Sequence, residues 1–365
     1  MSDELGTQAR SRGSISVVPE VITWDVCVVR VMVDAASFVV CLPGHEYRPW
    51  LARFDSGALD AELRSVASTP PRRSLRTVPR TVRHAQRGRR PRVGIEHEFE
   101  IRQGGTVVDF RRVLPHLLPG QPRVDPVDPL AVRLPFGVIT ADRFEAEIAT
   151  EPIDLTPGFV CRAVTVAAEA QRALRQACAA DHELTGYSTH ISVSWNPRRD
   201  DRLSRTWARI FAPVMMLLLD CPTSPGLIVR PRPGRLELCG EYASGDQLAA
   251  AVAFAVASVR IVEEVPARSL REWFVDMTLV PALDRYGWYV DRAAFRGSDL
   301  YALGRSLRLE RRSGPISAGQ HFDEIIDMVL PQLEVIGNAD DVASLRRART
   351  GSLPLPLVAD RMVQR

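Results

Sequence analysis

The chain has 365 residues, 45% of them hydrophobic and 25% charged, which is an ordinary globular composition with length for one large domain and an appendage. A formal net charge of +3 gives no global case for nucleic-acid binding. All 47 basic residues are arginine, which excludes a Schiff-base lysine and the phosphate-binding lysine of P-loop enzymes and kinases.

The cysteines and the apolar segments place further bounds. None of the six cysteines forms a CxxC pair, so the spacing indicates neither a zinc knuckle nor a dithiol redox site. The N-terminus is polar and has no signal-peptide apolar segment, and the apolar run 28–40 is broken by Arg30 and Asp34. We therefore expect a cytoplasmic protein with no membrane partner.

In chain order, residues 1–67 are predicted to be an N-terminal extension, with a possible small β module in the apolar runs between Ile22 and Trp50. Residues 68–92 are rich in proline and arginine and poor in large apolar groups, which predicts a linker. This linker is compatible with contact to RNA, a membrane surface or acidic partners, but a solvated tether is the simpler interpretation. We expect no nucleic-acid partner.

Residues 93–365 are predicted to form the compact, catalytic domain, with a helical C-terminal part. Thr156 and Pro157 predict the start of a helix that runs to about Ala180, and Ser244 predicts the cap of an alanine-rich helix. Further helices are predicted at 203–219, 269–284, 318–335 and 339–348, and strands at 187–195 and 227–239. Strands mixed with helices in this order predict an α+β fold.

Four strand-like segments each combine one apolar face with one polar face, because side chains alternate across a strand. The polar-face residues are Glu96, Glu98 and Glu100 in the first segment, Glu145 and Glu147 in the second, His190, Ser192 and Ser194 in the third, and Arg235 and Glu237 in the fourth. One polar face usually means solvent, but four favour a shared concave surface. His97 has the opposite parity and is predicted to be structural.

A surface with this many glutamates needs a physical reason, since glutamate is a poor strand former. Clustered carboxylates repel one another unless cations bind between them, because each raises the pKa of the others. Hard oxygen ligands select Mg²⁺ or Mn²⁺. Two such ions can bridge the phosphates of a nucleotide and neutralise the charge that develops during transfer.

The four segments resemble the glutamine synthetase-like superfamily of carboxylate–amine ligases, in particular the glutamate–cysteine ligase type and the smaller amidoligases. The likeness is carried by VGIEHEFE (93–100), EAEIATEP (145–152), GYSTHISVS (186–194) and RPRPGRLELCGEY (230–242), in the family's order. The resemblance implies a curved, mainly antiparallel sheet with a polar active-site face and helices packed on the other face. It also implies ATP and Mg²⁺ (or Mn²⁺) as cofactors, with an amino acid or small peptide and an amine as substrates.

By this resemblance, the implied metal ligands are Glu96, Glu98, Glu145, Glu147, His190 and Glu237. The resemblance implies that Arg235 and His190 act in catalysis and that Arg235, Arg232 and Ser192 contact the nucleotide. The reaction would form an amide through an acyl phosphate. One departure stands out: Cys239 occupies a place where the family usually has arginine, and Arg230 or Arg232 is a candidate substitute. The alternative is a degenerate, non-catalytic relative that binds a ligand or partner.

Overall fold

The computed structural model describes residues 10–22, 26–34, 36–61, 63–64, 91–117, 130–195, 200–219, 223–282, 287–353 and 355. It divides the chain into two compact units, Met1–Arg89 and Arg90–Arg365. Residues 68–90 of the predicted linker lie outside the described residues, so the predicted domain boundaries stay a prediction.

The first unit contains a four-stranded antiparallel sheet in the order β1-β2-β3-β4, followed by a helix. Its elements are β1 (Arg10–Arg12), β2 (Ile15–Ile22), β3 (Val26–Val33), β4 (Ala36–Pro43) and α1 (Gly44–Asp55). The two apolar runs seen in the sequence are β3 and β4. Alternate residues such as Val29 and Val31 on β3 are buried with Trp50 and Phe54 of α1, so the helix covers one face of the sheet.

The second unit is built on an open antiparallel sheet of eleven strands, with the main order β14-β15-β12-β13-β11-β5-β9-β8-β7 and with β6 and β10 paired to β5. The strands are β5 (Arg92–Gln103), β6 (Thr106–Val107), β7 (Val132–Leu134), β8 (Gly137–Asp142), β9 (Glu145–Thr150), β10 (Ile153–Asp154), β11 (His182–Ser194), β12 (Gly226–Arg232), β13 (Arg235–Glu241), β14 (Val280–Pro281) and β15 (Trp288–Asp291). A separate hairpin joins β16 (Arg308–Arg311) and β17 (Gly314–Ser317).

Helices pack on the apolar side of this sheet and against one another. They are α2 (Phe110–Leu117), α3 (Phe159–Ala177), α4 (Asp200–Leu218), α5 (Gly245–Glu264), α6 (Leu300–Leu303), α7 (Ala318–Ile336) and α8 (Ala339–Arg349). Strand residues Ile95, Ile191 and Leu236 share one buried core with Trp207 of α4 and Phe254 of α5. The predicted α+β fold with an antiparallel sheet is confirmed.

Helix α5 is the centre of that core. Among the described helices, it is long and apolar enough by length and composition to cross a membrane, but 72% of its most apolar window is buried inside the protein. Such burial is typical of a core helix. Ser244 takes the predicted N-cap position of α5 but makes no capping bond, because its hydroxyl contacts the phenol of Tyr242.

Helix α3 begins after Gly158 (φ +84°), and its first amides are not capped by the predicted Thr156. The Thr156 hydroxyl instead accepts from Arg162 at 2.7 Å. The fully buried carboxylate of Asp341 on α8 accepts from the N–H groups of Gly158 at 2.6 Å and Val160 at 2.8 Å. A helix needs partners for its first N–H groups, and here a distant side chain supplies them.

The predicted helix over 269–284 is wrong. In its described part, only Arg271–Trp273 forms a short 3-10 turn, and the chain then extends towards β14. The backbone N–H of Asp276 donates to Glu310 at 2.7 Å, and Val275 forms a β-bridge with Arg311. Pairing with a distant hairpin therefore outweighs the local helical pattern.

Candidate metal centre on the polar sheet face

Strand register brings the polar residues of four strands together. On β5, Glu96 lies opposite His190 of β11, and Glu98 lies opposite Glu147 of β9. On β11, Ser192 lies opposite Glu237 of β13. Directly paired residues in an antiparallel sheet have Cβ atoms roughly 4.5–5.5 Å apart, so these side chains form contiguous rows.

The first ligand group consists of Glu96, His190 and Glu237, each of which offers one ligand atom within 4.8 Å of the others. His190 Nδ1 lies 3.2 Å from Glu96 Oε2, and His190 Nε2 lies 3.7 Å from Oε1 of Glu98. Glu237 is only 1% exposed and His190 is 6% exposed, whereas 23% of the Glu96 side chain is exposed, so the group meets solvent at Glu96. The imidazole thus bridges the two glutamates of β5.

Three arginines surround the Glu237 carboxylate. Arg230 Nη1 lies 2.8 Å from Glu237 Oε2, Arg232 Nε lies 3.2 Å from the same oxygen, and Arg235 Nη2 lies 3.8 Å from Oε1. Burial alone would raise the pKa of Glu237, but these charges outweigh it and hold the pKa below its usual value. Glu237 is therefore ionised and already paired, and a cation would share its carboxylate with the arginines.

A tight hairpin explains the position of these arginines. Strands β12 and β13 join at Pro233-Gly234, and Gly234 has a φ of +78°, a conformation that favours glycine. The turn pairs Arg232 with Arg235 and Arg230 with Glu237, so all four side chains share the polar face. The sequence left open which of Arg230 and Arg232 would approach this site, and the structure brings both to it.

The second ligand group consists of Glu98, Asp142 and Glu147, again with one oxygen from each within 4.8 Å of the others. Burial and the negative charges of Glu96, Glu98 and Asp142 raise the pKa of Glu147 from 4.5 to about 8, against a smaller opposing effect of His190. Without a cation, Glu147 therefore holds a proton at neutral pH. Three crowded carboxylates are the arrangement that a divalent cation relieves.

Asp142 was not predicted from the sequence. Its place depends on the two-residue turn Arg143-Phe144, in which Arg143 has a φ of +55°, and this turn pairs Asp142 with Glu145. A turn with glycine or asparagine would have signalled that register. Glu145 lies outside both ligand groups, and one of its oxygens accepts from the backbone N–H of Phe144. Its role as a ligand stays a prediction.

His190 lies between the two ligand groups and is positively charged. Burial alone would lower the pKa of His190, but its contact with Cys239 and its interactions with Glu96 and Glu98 outweigh that effect, and the pKa lies well above its usual value. His190 is therefore protonated in the absence of metal and must lose that proton to become a ligand. His97 lies on the opposite sheet face against Tyr242, and burial lowers its pKa to about 4.

Tyr187 also lies at the site, beside Glu98, although strand parity did not predict it. A β-bulge between Gly186 and Ser188 inserts it as an extra residue in β11. Burial, the charge of Glu98 and a hydrogen bond to Glu98 raise the pKa of Tyr187. Gly186 permits the bulge to pack closely, because a Cβ there would lie 2.4 Å from the ring of Tyr242.

The residues of this face fit a hard divalent cation. Their donors are carboxylate oxygens and one imidazole, which suit Mg²⁺ and Mn²⁺. Ser192 Oγ and Arg230 Nε are buried without a hydrogen-bond partner among the described residues, and both belong to side chains beside Glu237. Arg235, with 45% of its side chain exposed, lies at the open edge of the group. Cys239 lies opposite His190 and is 5% exposed, so a buried cysteine side chain occupies the place of the expected arginine.

Comparison with known proteins adds little to this geometry. No protein-family model matches the chain, and no curated protein matches it in sequence. Among solved structures, it is similar to a chain in the crystal structure of the complex between prokaryotic ubiquitin-like protein Pup and its ligase PafA. The TM-score is 0.38 and the identity 13%, over 72% of this chain and 65% of that chain. A TM-score this low establishes no shared fold.

Proposed function

We propose that this protein is an ATP- and Mg²⁺-dependent carboxylate–amine ligase that forms an amide bond on an amino acid or small peptide. The observation that supports the proposal best is the meeting of two ligand groups on one sheet face, with three arginines beside the first. Carboxylates for cations next to guanidinium groups for phosphate are the parts that phosphoryl transfer needs.

Each residue has a role in this proposal. The group of Glu98, Asp142 and Glu147 would hold one cation, and the group of Glu96, His190 and Glu237 would hold another. A bound Mg²⁺ would neutralise charge on the transferring phosphoryl group. Arg232 and Arg235 would orient the phosphates, a task that falls to arginine in a chain without lysine. Ser192 would donate its unpartnered hydroxyl to the nucleotide.

The proposed reaction has two balanced steps. A carboxylate oxygen of the acid bonds to the γ-phosphorus of ATP, the bond to the β-phosphate oxygen breaks, and ADP leaves with that electron pair. An amine nitrogen then bonds to the acyl carbon, phosphate leaves, and the amine loses a proton. The arginines beside Glu237 would stabilise the charge of both leaving groups.

The decisive experiment measures ADP release with Mg²⁺ across a panel of amino acids and amines. We expect turnover for one acid–amine pair. Glu98→Gln should lower that turnover by about a hundredfold or more, because it removes a ligand of the cation that would neutralise charge on the transferring phosphoryl group. The matched control is Glu100→Gln on the same strand face, where the carboxylate is paired with Arg102 at 2.6 Å. Equal turnover in Glu98→Gln and wild type would contradict the proposal.

Cys239 favours a second candidate, a non-catalytic relative that binds a ligand or partner. A thiol cannot supply the positive charge that arginine would supply to a transferring phosphoryl group. Calorimetry with ATP and Mg²⁺ separates the two candidates. Binding together with turnover supports the ligase, whereas the absence of nucleotide binding supports the second candidate. The cytoplasmic location and the small-molecule substrates belong to the same proposal.

A further inference from the structure

A cavity of about 260 Å³ lies on the helical side of the second unit, and arginine dominates its lining. The lining residues are Arg202, Arg205, Thr206, Arg209, Ala267, Arg271 and Phe274. Three of the arginines come from α4, whose Trp207 and Phe211 pack into the core beneath the sheet. The arginine stripe therefore lies on the side of α4 opposite to these core residues.

The wall of the cavity opposite α4 includes Arg271 and Phe274, and a backbone hydrogen bond ties it to α4. Pro213 interrupts α4 and has no N–H, so the carbonyl of Arg209, four residues earlier, lacks its helical partner. The N–H of Val275 donates to that carbonyl at 2.9 Å. The contact fixes Phe274 and the preceding turn with Arg271 against the helix, which gives the cavity a defined shape.

The charge of the cavity is not balanced by its own lining, which contains four guanidinium groups and, among the described residues, no carboxylate. Arg205 stacks over the ring of Trp288 at 4.8 Å, an arrangement that leaves its N–H edge available. An adjoining cavity of about 330 Å³ shares Arg209 and Phe274 but contains Asp276 and Glu310. In a protein with a net charge of only +3, the first cavity is therefore a strong local concentration of positive charge.

We infer that this arginine-lined cavity is a binding site for a compact, phosphate-bearing polyanion such as a di- or triphosphate. The planar guanidinium fork matches phosphate oxygens and binds them in pairs. The volume suits a ligand of few atoms better than an extended acidic peptide. Arg202, Arg205 and Arg209 lie on α4, a helix of 19 residues, so one rigid element positions all three in the cavity wall.

Isothermal titration of the full-length protein with inorganic tripolyphosphate, in EDTA, tests this inference apart from the cation site. We expect binding that weakens as salt is added, and a loss of about tenfold or more in each of Arg209→Gln and Arg271→Gln, since each change removes a charged hydrogen bond to phosphate. The charge-matched control is Arg346→Gln on α8, which lies outside the cavity and should bind as wild type does. If Arg209→Gln or Arg271→Gln fails to fold, Arg202→Gln is titrated in its place, with the same expected loss of binding.

Three outcomes would overturn the inference. One is no binding of tripolyphosphate. Another is loss of binding in Arg235→Gln but not in Arg209→Gln, which would place the anion on the polar sheet face. The third is Arg209-dependent binding of poly-glutamate in place of tripolyphosphate, which would indicate an acidic polypeptide. A parallel titration with metal-free ATP separates the sources, because tighter binding of ATP than of tripolyphosphate identifies a nucleotide and equal binding identifies the phosphate chain.

Discussion

The two ligand groups on the polar sheet face use similar residues in opposite electrostatic settings. Glu237, in the first group, is buried but has Arg230 and Arg232 within 3.2 Å, and its pKa is lowered. Glu147, in the second group, is surrounded chiefly by other carboxylates, and its pKa is raised to about 8. Burial acts in the same direction on both, so the neighbouring charges decide which glutamate keeps its proton.

This difference predicts different roles for the two groups. The first group is neutralised within the protein, and its carboxylate is fixed in position before any ligand binds. The second group remains repulsive until a proton or a cation enters. We therefore expect the second group to control cation affinity, and the first group to control stability and the orientation of phosphate.

The largest expected effect tests the neutralised group. Arg230→Gln should lower the free energy of unfolding by about 3–5 kcal/mol, because it leaves a buried carboxylate without its closest partner. The measurement is urea unfolding, and adding Glu237→Gln to the same chain should recover most of the loss. The control is Arg235→Gln, whose side chain is 45% exposed at 3.8 Å and should cost less than about 1 kcal/mol. If Arg230→Gln and Arg235→Gln lowered the free energy of unfolding equally, the proposed difference between the buried and the exposed arginine would be wrong.

Cation affinity tests the second group. Asp142→Asn and Glu147→Gln should each weaken Mn²⁺ binding by about a hundredfold, since each removes a charged ligand oxygen. Electron paramagnetic resonance of free Mn²⁺ gives the affinity directly. Glu145→Gln is the matched control on the same strand, because its carboxylate lies outside both groups. If Glu145→Gln weakened binding as much as Glu147→Gln, the ligand set would be wrong.

The raised pKa of Glu147 predicts the direction of the pH dependence. Below pH 8 a cation must displace the proton of Glu147, whose pKa is about 8, so affinity should rise with pH. The rise should approach about tenfold per pH unit from this group and should level off above its pKa. The Glu147→Gln variant should lack this part of the rise in cation affinity with pH. Equal slopes in the variant and in wild type would show that another group supplies the proton.

Metal-free stability should also depend on pH. The pKa of Glu147 is higher in the folded protein than in the unfolded chain, so its contribution is present at low pH and is lost as pH rises towards about 8. The melting temperature should fall over that range, by roughly 2–4 °C for each kcal/mol lost, and Mg²⁺ should restore it. Glu237, with a lowered pKa, should show the reverse and destabilise on acidification.

The alternation of side chains along a strand predicts much of this site. It places Glu96, Glu98 and Glu147 on one face and His97 on the other, because the period of two is a local property of an extended chain. The single strand predicted over 227–239 is instead a hairpin, because Pro233-Gly234 forms a turn that brings Arg230 and Arg232 beside Glu237. Such features follow from residues that are close in sequence.

Other features depend on pairing between distant segments. Tyr187 reaches Glu98 only because a bulge in β11 changes its facing, and Asp142 reaches Glu147 through a turn with no glycine. Val275 pairs with Arg311, which replaces a helix that the local pattern favoured. The cap that Asp341 provides for α3 and the cavity of Arg209 and Arg271 also form only when the helices pack. Local propensity carries no information on such contacts.

The most direct test of the central claim is a crystal structure with Mn²⁺ and a non-hydrolysable ATP analogue, with Mn²⁺ located by anomalous scattering. We expect one Mn²⁺ among Glu98, Asp142 and Glu147, another among Glu96, His190 and Glu237, and the nucleotide phosphates between the cations and Arg232. Mn²⁺ absent from both groups, with nucleotide bound elsewhere or not at all, would contradict a catalytic metal centre on this face.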